Sequence, residues 1–197
     1  MKLSRILTAA LPPAALALAV ALAGCGRGKQ PQALELKYPN VNARTVELAS
    51  GYAVPQTMTF TSREGKITTA SSYNIHLANF PLDATQNGRK LNNLLGRDEQ
   101  VKVFITLIGE EGDIDSSPPR TGSHSPKADK FRKVRIMTIS TRAGGKDEEF
   151  SLRPEQTAGE VKVTSVRNDT IDGQIDLVDG GMAIKGPFSA KIVRAGK

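Results

Sequence analysis

The chain has no tryptophan, one cysteine and two histidines, and its other aromatic residues are three tyrosines and six phenylalanines. Each shortage narrows the chemistry. A single cysteine, Cys25, cannot close an intramolecular disulfide or build a thiolate cluster. Two histidines, His76 and His124, leave little for metal ligation or proton transfer. No HExxH, GxSxG, SxxK or glycine-rich phosphate loop occurs, so the common hydrolase and nucleotide-binding motifs are missing. Few aromatics also leave little of the exposed ring surface that sugar recognition recruits. The residues therefore predict no catalytic group, no cofactor and no metal ligand.

What is present begins at the N-terminus. Lys2 and Arg5 precede an apolar run from Ile6 to Ala23, which ends in Leu22-Ala23-Gly24-Cys25. A basic start, an apolar middle and a small-residue end form the layout of a secretory signal. The rival reading, a membrane-spanning helix, needs about 20 apolar residues. Pro12-Pro13 interrupts this run, and no stop-transfer flank follows Cys25. The tetrapeptide resembles the lipobox of bacterial lipoproteins. The resemblance implies recognition of Leu22, Ala23 and Gly24, cleavage after Gly24, and a thioether-linked diacylglycerol on Cys25. Acyl chains anchor at about 0.8 kcal/mol per buried CH₂, and two or more hold stably. Gly26 stands where lipoprotein sorting places an inner-membrane aspartate, so the resemblance implies the outer membrane, facing the periplasm, in a host with two membranes. Anchoring consumes the thiol and leaves the folded part to be stabilised by its core.

Three regions follow from this. Residues 1–24 are the predicted signal, 25–40 a lipidated end and flexible tether rich in Gly, Gln, Pro and Lys, and 41–197 one domain of ordinary size. The net charge of +7 falls to +5 without Lys2 and Arg5, a modest excess that suits solubility near an anionic envelope surface. Export argues against nucleic acid as a partner.

The domain reads as strands nearly throughout. Ile171, Ile175 and Leu177 alternate with polar residues, as do Met182, Ile184, Phe188, Ala190 and Ile192. Period-two alternation puts one set on a buried face. Asp179-Gly180-Gly181 reads as a hairpin turn between these runs, and Val161 and Val163 mark a third strand, giving a C-terminal meander over about 160–193. Gly186-Pro187 suggests a bulge or an edge. Val101, Val103, Ile105 and Leu107 share one face, with Phe104 and Ile108 on the other, so this strand is covered on both sides. Lys66 to Phe80 turns Tyr73, Ile75 and Leu77 inward. Phe131 to Thr141 sets Val134 and Ile136 opposite Met137 and Ile139. Residues 45–50 and 56–62 suggest a hairpin around Gly51 to Pro55. Leu91, Leu94 and Leu95 stand at helical spacing, so 90–95 is the one candidate helix. The pattern predicts an all-β fold of about eight strands, an antiparallel β-sandwich or a small β-barrel.

Residues 110–130 form a long predicted loop, acidic at first and basic at its end; its Ser, Pro and Gly content predicts mobility. Asp113, Asp115 and Ser117 imitate the opening of a calcium loop, but Pro118 and His124 occupy the positions that need Gly and Glu. His124 falls in this loop. His76 shares a polar strand face with Ser72 and Asn74 and reads as a surface residue. Lys127, Lys130, Arg132, Lys133 and Arg135 form a basic cluster that reads as a solvated edge. Together these features predict a non-enzymatic envelope lipoprotein whose β domain binds a protein or cell-wall partner. A carrier of lipid or another small apolar ligand in an internal barrel cavity is the second reading, although the Gly-x-Trp signature of lipocalins is missing. A hydrolase with a fold-assembled carboxylate pair is the third, because such pairs leave no spacing signature.

Overall fold

The computed structural model describes residues 32–84, 95–167 and 169–194. The described residues belong to one compact unit that starts at Pro31. Eleven strands form it: β1 (Ala33–Tyr38), β2 (Val41–Glu47), β3 (Ser50–Thr61), β4 (Ile67–Ala78), β5 (Val101–Glu111), β6 (Gly122–His124), β7 (Lys133–Ala143), β8 (Lys146–Ser151), β9 (Ala158–Arg167), β10 (Thr170–Asp179) and β11 (Met182–Ile192). None of the described residues is helical. The predicted helix lies outside the described residues except for Leu95, which is buried in irregular backbone.

All eleven strands join one sheet in the order β6-β9-β10-β11-β3-β4-β5-β7-β8, with β1 on β11 and β2 on β1. Pairing is antiparallel except between β11 and β3, which run parallel through Lys191–Tyr52 and Ile192–Ala53. The sheet is therefore mixed and is not closed into a barrel, and the fold is all-β as predicted. One isolated bridge, Ser125–Lys133, ties the end of β6 to the start of β7. There Ser125 N–H donates to Arg132 O at 2.9 Å and Val134 N–H to Ser125 O at 3.1 Å.

The predicted meander is present as β9-β10-β11, with the turn at Asp179–Met182 and Gly180 at φ +54°. The Asp179 side chain is buried and accepts the Arg153 N–H at 2.8 Å. β11 is no edge strand, however. β10 pairs along its whole length, while on its other side β1 covers residues 183–185 and β3 covers 191–192. Gly186 and Pro187 fall where one neighbour gives way to the next. A β-carbon on Gly186, at φ +130°, would stand 2.5 Å from Ala33 O. Proline lacks an N–H to donate, so it suits the stretch between the two neighbours.

The inner face carries one continuous core. Leu34 and Leu36 of β1, Ile75 and Leu77 of β4, Ile105 of β5 and Ile139 of β7 are all fully buried within it. Ile171, Ile175 and Leu177 of β10 join Ile184, Phe188 and Ala190 of β11 on the same face. β4 and β5 are buried on both faces at their centres, as predicted for β5. A smaller cluster of Ala78, Phe80, Leu82 and Leu95, with Tyr52 and Val54 against it, is separate from this core.

Four expectations are corrected. The tether reading of 25–40 fails from residue 33, because alternating Leu34, Leu36 and Tyr38 make a buried strand. The hairpin around Gly51–Pro55 does not form; those residues lie inside β3, and β2 pairs with β1 alone. Gly51 serves close approach instead, since a β-carbon there would collide with Ser189 O of β11. Val134 and Ile136 do not share a face: a register shift between β5 and β7 buries Val134 and leaves Ile136 41% exposed. Finally, the strand count rises from eight to eleven with β1, β6 and β8.

Leu36 distinguishes core from tether. Leu36→Ala should lower unfolding free energy by about 2–5 kcal/mol, the range for a truncated core leucine. Urea unfolding at pH 7 followed by circular dichroism measures it, and a change near zero would return residues 33–38 to the tether.

Candidate functional site: a cleft roofed by the β5–β6 loop

Beyond β5 the chain does not leave the domain as a free loop. Gly112, at φ +120°, turns it back, and its N–H donates to Thr69 O at 3.0 Å. The Asp113 carboxylate accepts the Asp115 N–H at 3.0 Å and the Ser116 N–H at 2.7 Å. Those bonds, led by Ser116, hold the Asp113 carboxyl below the usual carboxylate range. The first aspartate of the segment that imitates a calcium loop thus caps its own turn. Ile114 N–H reaches across to Thr57 Oγ1 of β3 at 3.2 Å. The 110–130 segment, predicted as a mobile loop, is therefore hydrogen-bonded to β3 and β4, contains β6, and buries Ser117 and His124.

Pro118 and Pro119 form the roof of a cleft of about 430 Å³ at this end of the sheet. Its floor is Tyr73 of β4, and its sides include Pro55, Ile114 and Ile192. Two charges of opposite sign, Asp115 and Arg194, stand on its walls. A smaller recess shares Tyr73, Pro118 and Pro119 and continues past Ser71 to Arg120 and His124. Pockets for small molecules run to about 300–1,000 Å³, with mostly apolar walls and few polar groups, and the cleft meets that description.

Two polar atoms here are buried and have no partner among the described residues: the Tyr73 hydroxyl and His124 Nδ1. Tyr73 is only 4% exposed. Burial raises its phenol above the ordinary value, and the Arg194 charge acts in the opposite direction. His124 is held below the ordinary histidine value by burial and then by the Arg132 charge; Glu110 and backbone hydrogen bonds at Val161 and Gly122 act against them. Arg132 is committed to Glu110, its Nε donating to Oε1 at 2.6 Å. A buried polar group without a partner costs about 1–3 kcal/mol, so two in one place are a notable concentration.

The other predicted site residues are dispersed. Leu22, Ala23, Gly24 and Cys25 lie outside the described residues. His76 is not on the surface: it is 6% exposed, with its ring 4.8 Å from that of Phe104. Its face of β4 also buries Ser72 and Ala78, which explains the failed reading. Four of the five residues of the basic cluster, all but Lys127, engage their own chain, Arg132 through Glu110. Lys130 stands over the rings of Phe60 and Phe131, Lys133 Nζ donates to Asp129 O, and Arg135 Nη1 lies 2.8 Å from Met58 Sδ. Sequence reasoning placed Tyr73 in the core without sensing its unpartnered hydroxyl, and it did not single out Arg194 or Pro119. The one available signal was the Pro118-Pro119 pair in a long loop. Among the described residues, no group of His, Cys, Asp and Glu is arranged to hold a metal ion.

No protein-family model matches the chain, and no curated protein or solved structure matches it. The cleft must be judged on its own chemistry. It offers apolar walls, a buried phenol, a guanidinium and a carboxylate, a set suited to recognition.

The buried histidines also set an acid limit. Burial, with Lys102 adding to it, pushes His76 down to about 4. An unfolded histidine titrates near 6.5. Between those values the unfolded chain takes a proton that the folded chain refuses, so stability is full above about pH 6.5 and falls as pH drops. At about 1.4 kcal/mol per unit, His76 accounts for up to about 3 kcal/mol of that loss. Urea unfolding at pH 7.5 and 4.5 should show a much smaller acid loss in His76→Gln than in the parent chain; equal losses would refute the assignment.

Proposed function

We propose that the chain is a lipid-anchored protein of the bacterial envelope whose β domain is a recognition module, not an enzyme. The lipobox-like Leu22-Ala23-Gly24-Cys25 supports the anchor. Seven residues, 26–32, separate Cys25 from β1, so at full extension the domain stands within about 30 Å of the lipid. The observation that carries the recognition reading is the roofed cleft: a space of ligand size over an unpartnered buried tyrosine, in a domain whose inner face is otherwise filled by side chains. Its occupant would be a small ligand or the end of an envelope constituent. Two charged groups near the cleft are already held by the chain itself, Glu110 by Arg132 and Asp113 by its turn. This arrangement favours binding over turnover. The packed inner face also favours ligand uptake under the β5–β6 loop over storage inside a barrel.

Two measurements test the proposal in cells. Cys25→Ser should abolish incorporation of labelled palmitate, and continued labelling would refute the anchor. A photocrosslinking residue at Asp115, beside the cleft, should capture a reproducible envelope constituent that the same residue at Glu148, on the β8 edge, does not. Equal capture from both positions would count against the cleft.

A further inference from the structure

We infer that β6 is an acid-released latch on the roof of the cleft, with His124 as the group whose protonation opens it. The roof is held at both ends. Toward β5, Gly112 N–H donates to Thr69 O and Ile114 N–H to Thr57 Oγ1. Beyond Arg120 it is held by the three pairs of β6 with β9 and by the single Ser125–Lys133 bridge to β7. β6 thus spans two strands that stand far apart in the sheet order. Segments with so few pairings are the first to open.

His124 ends that strand, pairs with Val161 and precedes the bridging Ser125. It is 7% exposed, and its Nδ1 is buried with no partner among the described residues. A protonated imidazole would bring a charge and a second N–H into that place, and a buried charge is costly unless it is paired. The surroundings do not favour it. Arg132, from the segment before β7, lies over Gly122 of β6, where a β-carbon would meet its guanidinium. Its charge opposes protonation of the ring, whereas Glu110 of β5 favours it. Glu110 is already bound to Arg132, so it is not free to receive a second cation. Arg120 lines the same recess and adds positive charge. β9 and β10 offer the apolar Val163 and Ile171, and β4 offers Ser71 and Tyr73, whose phenol stays neutral because burial raises it. Burial and Arg132 therefore outweigh Glu110 and the backbone hydrogen bonds at Val161 and Gly122, and the latched ring is held below the ordinary histidine value.

The sign follows. A released histidine titrates at about 6.5. Below that pH the open segment takes a proton that the latched one refuses, so the latch is firm above about pH 6.5 and loosens as pH falls. By pH 5 the opening equilibrium rises by up to about thirtyfold, the limit set by about 1.5 pH units. Control of ligand entry by the latch rests on the recognition reading above, whereas opening itself needs no ligand.

Amide hydrogen exchange of the full chain in a zwitterionic detergent reads the latch, at pH 7.5 and 5 and corrected for the intrinsic pH dependence of exchange. Amides of 122–134 should lose protection at pH 5 by more than those of β10 and β11, which report the whole domain and its His76. His124→Gln, neutral at both pH values, should abolish that extra loss. Arg132→Gln should shrink it, because Glu110 is then free to receive the charged ring. Protection of β10 and β11 at pH 7.5 checks that each variant is folded. A failed crosslink from Asp115 in cells would leave these outcomes untouched, so the latch and the recognition reading fail separately. Equal loss in both regions of the parent chain, or an extra loss that persists in His124→Gln, would overturn the latch.

Discussion

The fold depends on how β11 shares its two sides. One side is committed to β10 along the whole strand, while the other is divided between β1 and β3. That division lets an otherwise antiparallel chain accept a parallel contact, because β3 meets β11 only at Lys191 and Ile192. It also brings the first strand of the described fold into contact with the last. Gly186 permits the crossing by leaving room for Ala33 O, and Gly51 permits the approach of β3 to Ser189. Without these two glycines, β-carbons would meet backbone oxygens at both junctions. The neighbouring leucines of β1 would then lose their place against Ile184 and Phe188 in the core.

A second constraint follows from the position of β4. It lies between β3 and β5 and is buried on both faces over its central residues. A strand in that position ordinarily reads as a continuous apolar run. β4 instead carries Ser71, Ser72, Tyr73, Asn74 and His76. Asn74 is satisfied, since its Oδ1 accepts from Thr106 Oγ1 at 2.9 Å and from Gln56 Nε2 at 3.4 Å. Ser72, Tyr73 and His76 each retain a buried polar atom with no partner among the described residues. The central strand therefore carries both the acid sensitivity of the domain, through His76, and the floor of the cleft, through Tyr73.

The legible and illegible parts of the sequence divide along the same physical line. Alternation revealed β9 to β11 and the inward faces of β4 and β5, because period-two burial leaves a direct trace in residue type. It missed β1, whose alternating Leu34, Leu36 and Tyr38 stood beside a Gly- and Pro-rich segment and were absorbed into it. It missed β8, an exposed edge with Asp147, Glu148 and Glu149, because a strand without a buried face has no apolar alternation. Ile136 was put on the wrong side because a bulge between β5 and β7 shifts the phase, and nothing in the local pattern announces a bulge. His76 was read as exposed because alternation reports one sheet face at a time. It cannot reveal that the second face is also covered.

The cleft was the least legible feature because it depends on long-range closure. Pro55, Tyr73, Pro119 and Arg194 are separated widely in sequence and meet only when β3, β4, the β5–β6 loop and the end of the chain converge. The Gly112 turn and the Asp113 cap belong to the same loop that lines the space beside Tyr73, so an exposed aspartate and a buried phenol belong to one arrangement. The same closure deprives the phenol of water and of any partner within the described chain. A fold optimised for stability alone would place phenylalanine there, with the same packing and no stranded hydroxyl. Local departures from consistency are tolerated where function compensates for them. Tyr73 departs from that consistency where the filled core borders a space of about 430 Å³.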